Sequence, residues 1–280
     1  MPTWKLEVEY DGTRYRGWQI QHNTKTIQGE FMAVTRELFA SPAEVFSGEP
    51  TVAGVHALCQ TVHLKVPEIK VDLKPAHLLK EFNELLPPDI NIIRVINVSD
   101  TFHARKDAIA RYYLYQISTR RSAFGKPYVW WVKDEHDTKA MNEAAKMLVG
   151  RHNFRSFSEL ESDSKIPTVV EVHNAEVFTD GALICFRMGA SHFLPTMLRR
   201  IVGLIAEVGR SDMSYDAFGR LLKFESPVAA KFTAPPSGMF LEKVLYRGEK
   251  PPARTPTPSN VIIAASLKGD GKNALAACDP

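Results

Sequence analysis

The sequence predicts an α+β fold in which a mainly antiparallel sheet carries its helices on one face. Three observations predict it. Up to residue 103, the hydrophobic patterns run strand, helix, strand, strand, helix, strand, the order of a ferredoxin-like (RRM-like) unit. From 104 to 247 the strand and helix content repeats without a sequence repeat, so a second unit of the same kind rests on pattern alone. The 280 residues are 44% hydrophobic and 24% charged, which supplies a core of ordinary size. The expected organisation is therefore an N-terminal half at 1–103, a C-terminal half at 104–247 and a Pro-rich tail at 248–280.

In the first half, Lys5 to Tyr10 alternates charged and apolar residues, as a half-buried strand does. Asp11-Gly12-Thr13 turns the chain into a loop holding Tyr15, Arg16, Gly17, Trp18 and Gln19. Such a loop either carries a structural Trp or contacts RNA, since aromatics and Arg stack on bases and pair with phosphates. A helix opens at Thr26-Ile27. Ile27, Phe31, Val34 and Leu38 form its apolar stripe, and Ser41-Pro42 stops it. Ala43 to Phe46 is a short strand, and Thr61 to Val66 alternates as another. Leu73 to Leu86 is the second helix, ended by Pro87-Pro88, and Ile90 to Val98 is a β-branched strand.

In the second half, Ala110 to Ile117 alternates, placing Arg111, Tyr113 and Tyr115 on one face and Tyr112, Leu114 and Gln116 on the other. Tyr128 to Val132 is very aromatic and is expected to be buried or at an edge. Asp137-Thr138 caps a helix to Leu148, closed by Gly150. A polar loop is expected from Arg151 to Pro167, then a hairpin of Val169 to Phe178 and Leu183 to Arg187. Met197 to Val208 is a strongly apolar helix interrupted by Arg199 and Arg200, and Tyr215 to Leu222 is a shorter one. Met239 to Tyr246 is the last strand. Four prolines between 251 and 258 argue against regular structure in the tail.

The formal net charge of +3 is a mild basic bias and does not itself signal nucleic acid. Cys59, Cys185 and Cys278 are odd in number and far apart, with no metal-ligand spacing or disulfide framework. A reducing, cytoplasmic setting is expected. The charged N-terminus lacks the apolar stretch of a signal peptide, and no apolar run reaches membrane-span length.

The stretch that matters most is Ser47-Gly48-Glu49-Pro50-Thr51-Val52-Ala53-Gly54-Val55-His56-Ala57, a small-residue loop between strands. Small residues let a ligand approach the main chain closely. Taken alone it is a common strand connection. It sits, however, among motifs that occur in order: Tyr10 to Gln19, Thr26-Ile27-Gln28-Gly29, Leu86-Pro87-Pro88-Asp89-Ile90, Phe102-His103-Ala104-Arg105, Ala110 to Tyr115, His152 to Phe157, Phe193 to Gly203, and Ala234 to Leu241. With these the chain resembles the tRNA pseudouridine synthase A family over about residues 4–247. The family's loop reads Gly-Arg-Thr-Asp-Ala-Gly-Val-His-Ala. On that likeness its catalytic Asp falls on Val52 and its Arg on Pro50, with one extra residue between Gly48 and Thr51.

The resemblance implies two ferredoxin-like halves forming one continuous sheet, with a basic cleft between them. It also implies a homodimer that grips tRNA and isomerises uridines of the anticodon stem-loop (tRNA positions 38–40) to pseudouridine, with no cofactor or metal and no membrane. By the same likeness Tyr113 is the active-site Tyr and Arg199 the Arg that pairs with the catalytic carboxylate. Arg14, Arg16, Arg105 and Arg111 are phosphate or base-edge contacts. Read without it, Tyr113 is a strand aromatic, Arg199 a helix Arg, and each other Arg a solvated charge.

The reaction breaks the N1–C1′ bond and rejoins the base through C5, and a carboxylate is needed at the sugar. Val52 has no lone pair to offer. Glu49, three residues earlier, and Asp11 are the candidate substitutes, and Glu49 is expected beside Arg199. Two functions remain open: a synthase using a displaced carboxylate, or a catalytically silent tRNA-binding protein or RNA chaperone of the same fold.

Overall fold

The structure, a computed structural model, describes residues 2–39, 42–67, 73–161 and 164–253. The Ser41 helix stop and all of the expected tail beyond residue 253 lie outside them.

The chain opens with β1 (Thr3–Tyr10), a 3-10 turn (Gly12–Arg14) and α1 (Ile27–Leu38). Thr26 caps α1 by accepting the Gly29 N–H at 3.2 Å, and Ile27, Phe31 and Val34 form its buried stripe. β2 (Glu44–Ser47) and β3 (His56–Lys65) make an antiparallel pair around the small-residue loop. α2 (Pro75–Leu85) starts on a proline, whose fixed φ suits the first helical turn, and β4 (Ile90–Asn97) follows.

β5 (Ala110–Ser118) comes next, then the two-residue β6 (Trp130–Trp131). α3 (Thr138–Lys146) is capped by Asp137, which accepts from the Lys139 and Ala140 N–H groups. β7 (Gly150–Asn153) precedes the hairpin of β8 (Val169–Asp180) and β9 (Leu183–Ala190). α4 (Met197–Gly209), α5 (Tyr215–Lys223) and β10 (Met239–Leu245) complete the order.

All ten strands join one sheet, in the order β4-β1-β3-β10-β5-β9-β8-β7, with β2 on β3 and β6 on β5. Every pairing is antiparallel except β3–β10 and β5–β6. The last strand therefore lies at the centre. There Phe240 and Leu241 register with His56 and Ala57, directly after the small-residue loop.

Residues from all five helices share one large core cluster with alternate strand residues such as Leu6, Val62, Tyr113, Phe186 and Leu241. The helices thus cover one face. A tilted run of rings, Tyr10, Trp18, Phe31 and Phe82, crosses that core with centroids 5.8–6.3 Å apart. Each fully buried ring of this kind contributes about 1.5–3 kcal/mol by area. On the other face a smaller cluster of Leu114, Val129, Leu183, Cys185 and Phe240 covers the middle strands. It explains why β5 is buried along its whole length rather than alternately.

The α+β class, the sheet and the one-sided helices agree with the sequence. Two elements differ. β3 begins at His56, five residues before Thr61, because its first residues pair with β10, a partner remote in sequence. The polar loop expected from Arg151 contains β7, whose alternation of half-buried and exposed residues is carried by polar side chains. The aromatic stretch at Tyr128–Val132 supplies the two-residue β6, paired with β5.

Candidate functional site

The loop between β2 and β3 is held from below by the Tyr10–Trp18 segment. Trp18 N–H donates to the Thr51 carbonyl at 2.9 Å, and the Tyr10 and Thr51 hydroxyls lie 2.7 Å apart. Gly17 has φ +92°, and a Cβ there would stand 2.6 Å from the Thr51 oxygen and 3.0 Å from the Val52 carbonyl carbon. Only glycine allows this approach. Gln60, fully buried on β3, closes the loop from the other side. Its amide donates to the Glu49 carbonyl at 2.5 Å, and its oxygen accepts the Glu49 N–H at 3.2 Å. So Trp18 is structural, 1% exposed, while Arg14 and Arg16 beside it are exposed.

The clamped loop forms one wall of a cleft of about 310 Å³. Glu49, Val52, Arg105, Arg111, Tyr113 and Arg199 all line it. The structure thus brings together six of the nine residues singled out in the sequence. Arg14 and Arg16 do not line the cleft. Val52 is 51% exposed at its wall. The opposite wall comes from β5 and from the start of α4, where Thr196 takes the left-handed φ of 60° just before the helix. The Phe193 ring meets Tyr113 edge-on at 4.8 Å.

Arg111 departs from its expected role as an RNA contact. It is 6% exposed, and all five of its N–H donors are used inside the protein. Nε donates to Glu49 Oε2 at 3.1 Å, Nη1 to the Ala108 and Ser191 carbonyls, and Nη2 to the Gly48 and Arg105 carbonyls. No donor remains for a phosphate. Arg111 instead ties together three loops around the cleft.

Glu49 also departs from expectation, since its partner is Arg111 and not Arg199. The Gln60 clamp fixes its backbone so that the carboxylate faces β5. Oε1 accepts from the Tyr113 hydroxyl at 3.4 Å. Burial pushes the Glu49 carboxyl up, against the opposing pull of Arg111 and Arg105. Burial, and then the Glu49 charge, hold the Tyr113 phenol well above its ordinary range. It therefore keeps its proton near neutral pH and donates it as a hydrogen bond to Glu49.

Arg199 donates from Nε to the Ala234 carbonyl at 2.6 Å. Burial lowers its pKa, countered by Tyr115 and Glu159. It is half-buried, so solvent reaches it and moderates the cost of leaving it without an ion-pair partner.

Asp11 is excluded as a substitute carboxylate by its position. It lines a separate cavity of about 320 Å³ with His56, Tyr128 and Phe240, on the face opposite Tyr113. It accepts from Thr13 N–H at 2.9 Å and Tyr128 OH at 2.8 Å, and lies 3.1 Å from His56 Nδ1. Burial pushes it up, but hydrogen bonds from His56, Thr13 and Tyr128 outweigh this and hold its carboxyl well below the usual range.

Sequence reasoning missed Gln60, the edge contact of Phe193, and the exposed Phe46. Gln60 had one weak signal, an amide in a strand run that is otherwise apolar toward the core. Among the described residues no group of three His, Cys, Asp or Glu side chains is placed to hold a metal, and no helix is long and apolar enough to cross a membrane.

A family model described as tRNA pseudouridine synthase matches residues 144–247. Among curated relatives, tRNA pseudouridine synthase A 2 of Bacillus anthracis is 36% identical over 249 residues, covering 88% of this chain and 100% of the relative. tRNA pseudouridine synthase A of Rhodopseudomonas palustris (strain BisA53) is 38% identical and that of Aquifex aeolicus (strain VF5) 35%, each over the same coverage. With full-length relatives at this identity, the chain belongs to the tRNA pseudouridine synthase A family.

Proposed function

We propose that this protein binds the anticodon arm of tRNA in the cleft as a homodimer in the cytoplasm, and that Val52 holds the place of the family's nucleophile and leaves the site unable to isomerise uridine at an enzymatic rate. The observation that carries this reading is the composition of the cleft wall. Tyr113 and Arg199 line a cavity with the exposed Arg105, the one carboxylate among its lining residues is engaged by Arg111, and the family likeness puts the exposed, aliphatic Val52 of its wall at the nucleophile's position. Arg105, Arg111 and Arg199 line the cleft against the single carboxylate of Glu49, so the cleft favours an anionic ligand. A flipped uridine entering it would meet the edge-supported Tyr113 ring and the Arg199 guanidinium.

Losing a single catalytic group costs several orders of magnitude in rate where no neighbour substitutes. A second reading has one observation in its favour. Glu49 Oε1 lies on the Tyr113 hydroxyl inside the same cleft, so a shift of its side chain away from Arg111 would present a carboxylate to the sugar.

The test incubates the purified protein in excess over unmodified tRNA and maps pseudouridine in the anticodon arm. Salt-sensitive binding without product supports the silent reading, and Val52→Asp is then expected to gain product. Product that vanishes in Glu49→Gln supports the second reading. Size-exclusion light scattering tests the homodimer.

A further inference from the structure

Next to the cleft lies a second cavity of about 430 Å³. The two share Gln19, Pro50 and Arg105 as a common wall. Its floor is unusual. Phe46 on β2 is 46% exposed, an apolar ring left open beside the polar Gln19, Gln21, His103 and Arg105. That ring is flanked by two imidazoles tilted against it, His63 at 5.2 Å and 34° and His103 at 5.9 Å and 35°.

The ring of His103 is fixed by the backbone. Its Nδ1 accepts the Arg105 N–H at 3.2 Å and the Lys106 N–H at 3.4 Å. The proton of the neutral ring is therefore on Nε2, which has no protein acceptor among the described residues. Gln21 donates its amide to the Arg16 carbonyl and keeps its oxygen, while Gln19 makes no hydrogen bond among the described residues. Ser47, 4% exposed, lines the same cavity with a hydroxyl that has no hydrogen-bond partner among the described residues. The Arg105 guanidinium at the shared wall forms no hydrogen bond or ion pair among the described residues.

An open aromatic face, unengaged edge donors and acceptors, and a free cation on the side of the cleft are the requirements for a single unpaired nucleotide. We propose that this cavity seats the nucleobase adjacent to the one held in the cleft, stacked on Phe46 and read at its edge by His103 and Gln19, with Arg105 on the intervening phosphate. The proposal rests on the tRNA reading and deepens it. Continuity of the two cavities through Arg105 selects an adjoining nucleotide over a separate small molecule. The stacking platform acts through binding and positioning, away from the reacting atoms.

The experiment uses anticodon-arm RNA hairpins carrying 2-aminopurine, in turn, at each position flanking the target uridines. Binding should quench the fluorophore at one flanking position. Phe46→Ala should abolish that quench and weaken binding about 5- to 10-fold, the lower part of the range for one base–aromatic stack. Phe46→Tyr should retain both. Replacing the same nucleotide by an abasic site should weaken wild-type binding equally and make Phe46→Ala silent. A merely structural role for Phe46 would leave its penalty unchanged on the abasic RNA, and thermal melts of the variants monitor folding. Additive penalties, or no responsive flanking position on RNA that does bind, overturn the proposal alone. Absence of hairpin binding by the wild type overturns the tRNA reading and this proposal with it.

Discussion

Replacing Arg111 by Met should destabilise the protein by about 3–5 kcal/mol, the cost of breaking a buried ion pair from one side. The magnitude follows from its surroundings. The Arg111 side chain is 8% exposed and that of Glu49 15%. Methionine fills much of the volume but donates nothing. It leaves the Glu49 carboxylate without its cation, and the Ala108, Ser191, Gly48 and Arg105 carbonyls lose a donor. For a chain of this size each kcal/mol lowers Tm by about 2–4 °C, so a fall of roughly 6–20 °C is expected. Urea denaturation measures the free energy directly. The companion variant is Arg111→Met with Glu49→Gln. Removing the orphaned carboxylate should return about 1–3 kcal/mol as a coupling term, while the unsatisfied carbonyls keep the double variant below wild type. Hydrogen exchange should show the loss concentrated at Gly48, Ser191 and Arg105, the loops that Arg111 joins. A single-variant cost under about 1 kcal/mol, or strictly additive effects, would refute the claim that Arg111 is the structural tie of the cleft.

Three other outcomes follow from the same geometry. Gly17→Ala should misplace Thr51 and Val52, because its Cβ meets the Thr51 oxygen at 2.6 Å in a left-handed backbone. A cost of about 1–3 kcal/mol in denaturation, together with weaker tRNA binding, is expected. His63 accepts the Ala104 N–H, and burial carries its pKa from 6.5 down to about 4. The unfolded chain therefore binds the extra proton first. The stability is complete above pH 6.5 and is lost as pH falls toward 4, by up to about 3 kcal/mol. Chemical denaturation across that window should show a one-proton dependence, absent in His63→Gln. Arg105→Ala should reduce the slope of log affinity against log salt by about 0.7–0.9, one phosphate contact, without altering the melting temperature. An unchanged slope would remove Arg105 from the RNA surface.

What the sequence made legible was set by local pattern. Period-2 alternation marked β1 and β5, helical stripes marked α1 and α4, and the Asp137 cap marked α3. The positions around the cleft were legible as well, since Glu49, Val52, Tyr113 and Arg199 do share one cavity. Partner choice was not. Glu49 faces Arg111 because Gln60 clamps its main chain from a strand eleven residues away, and no local pattern encodes that clamp. Asp11 points to the opposite face because β1 ends in a bulge-containing pairing and its turn docks on His56. The early start of β3 needed β10, almost two hundred residues distant. Phe46 looked like a strand residue, and only the fold shows that its ring is left uncovered.

The central claim is that the cleft keeps tRNA binding and lacks the attacking carboxylate. Its most direct test is a single-turnover incubation of the wild-type protein with tRNA at saturating, low-salt conditions, with pseudouridine read at each anticodon-arm uridine. The account predicts stoichiometric binding, no product in wild type, and product once Val52 is changed to Asp. Product at an enzymatic rate in the wild-type protein would contradict it, and loss of that product in Glu49→Gln would name the carboxylate responsible.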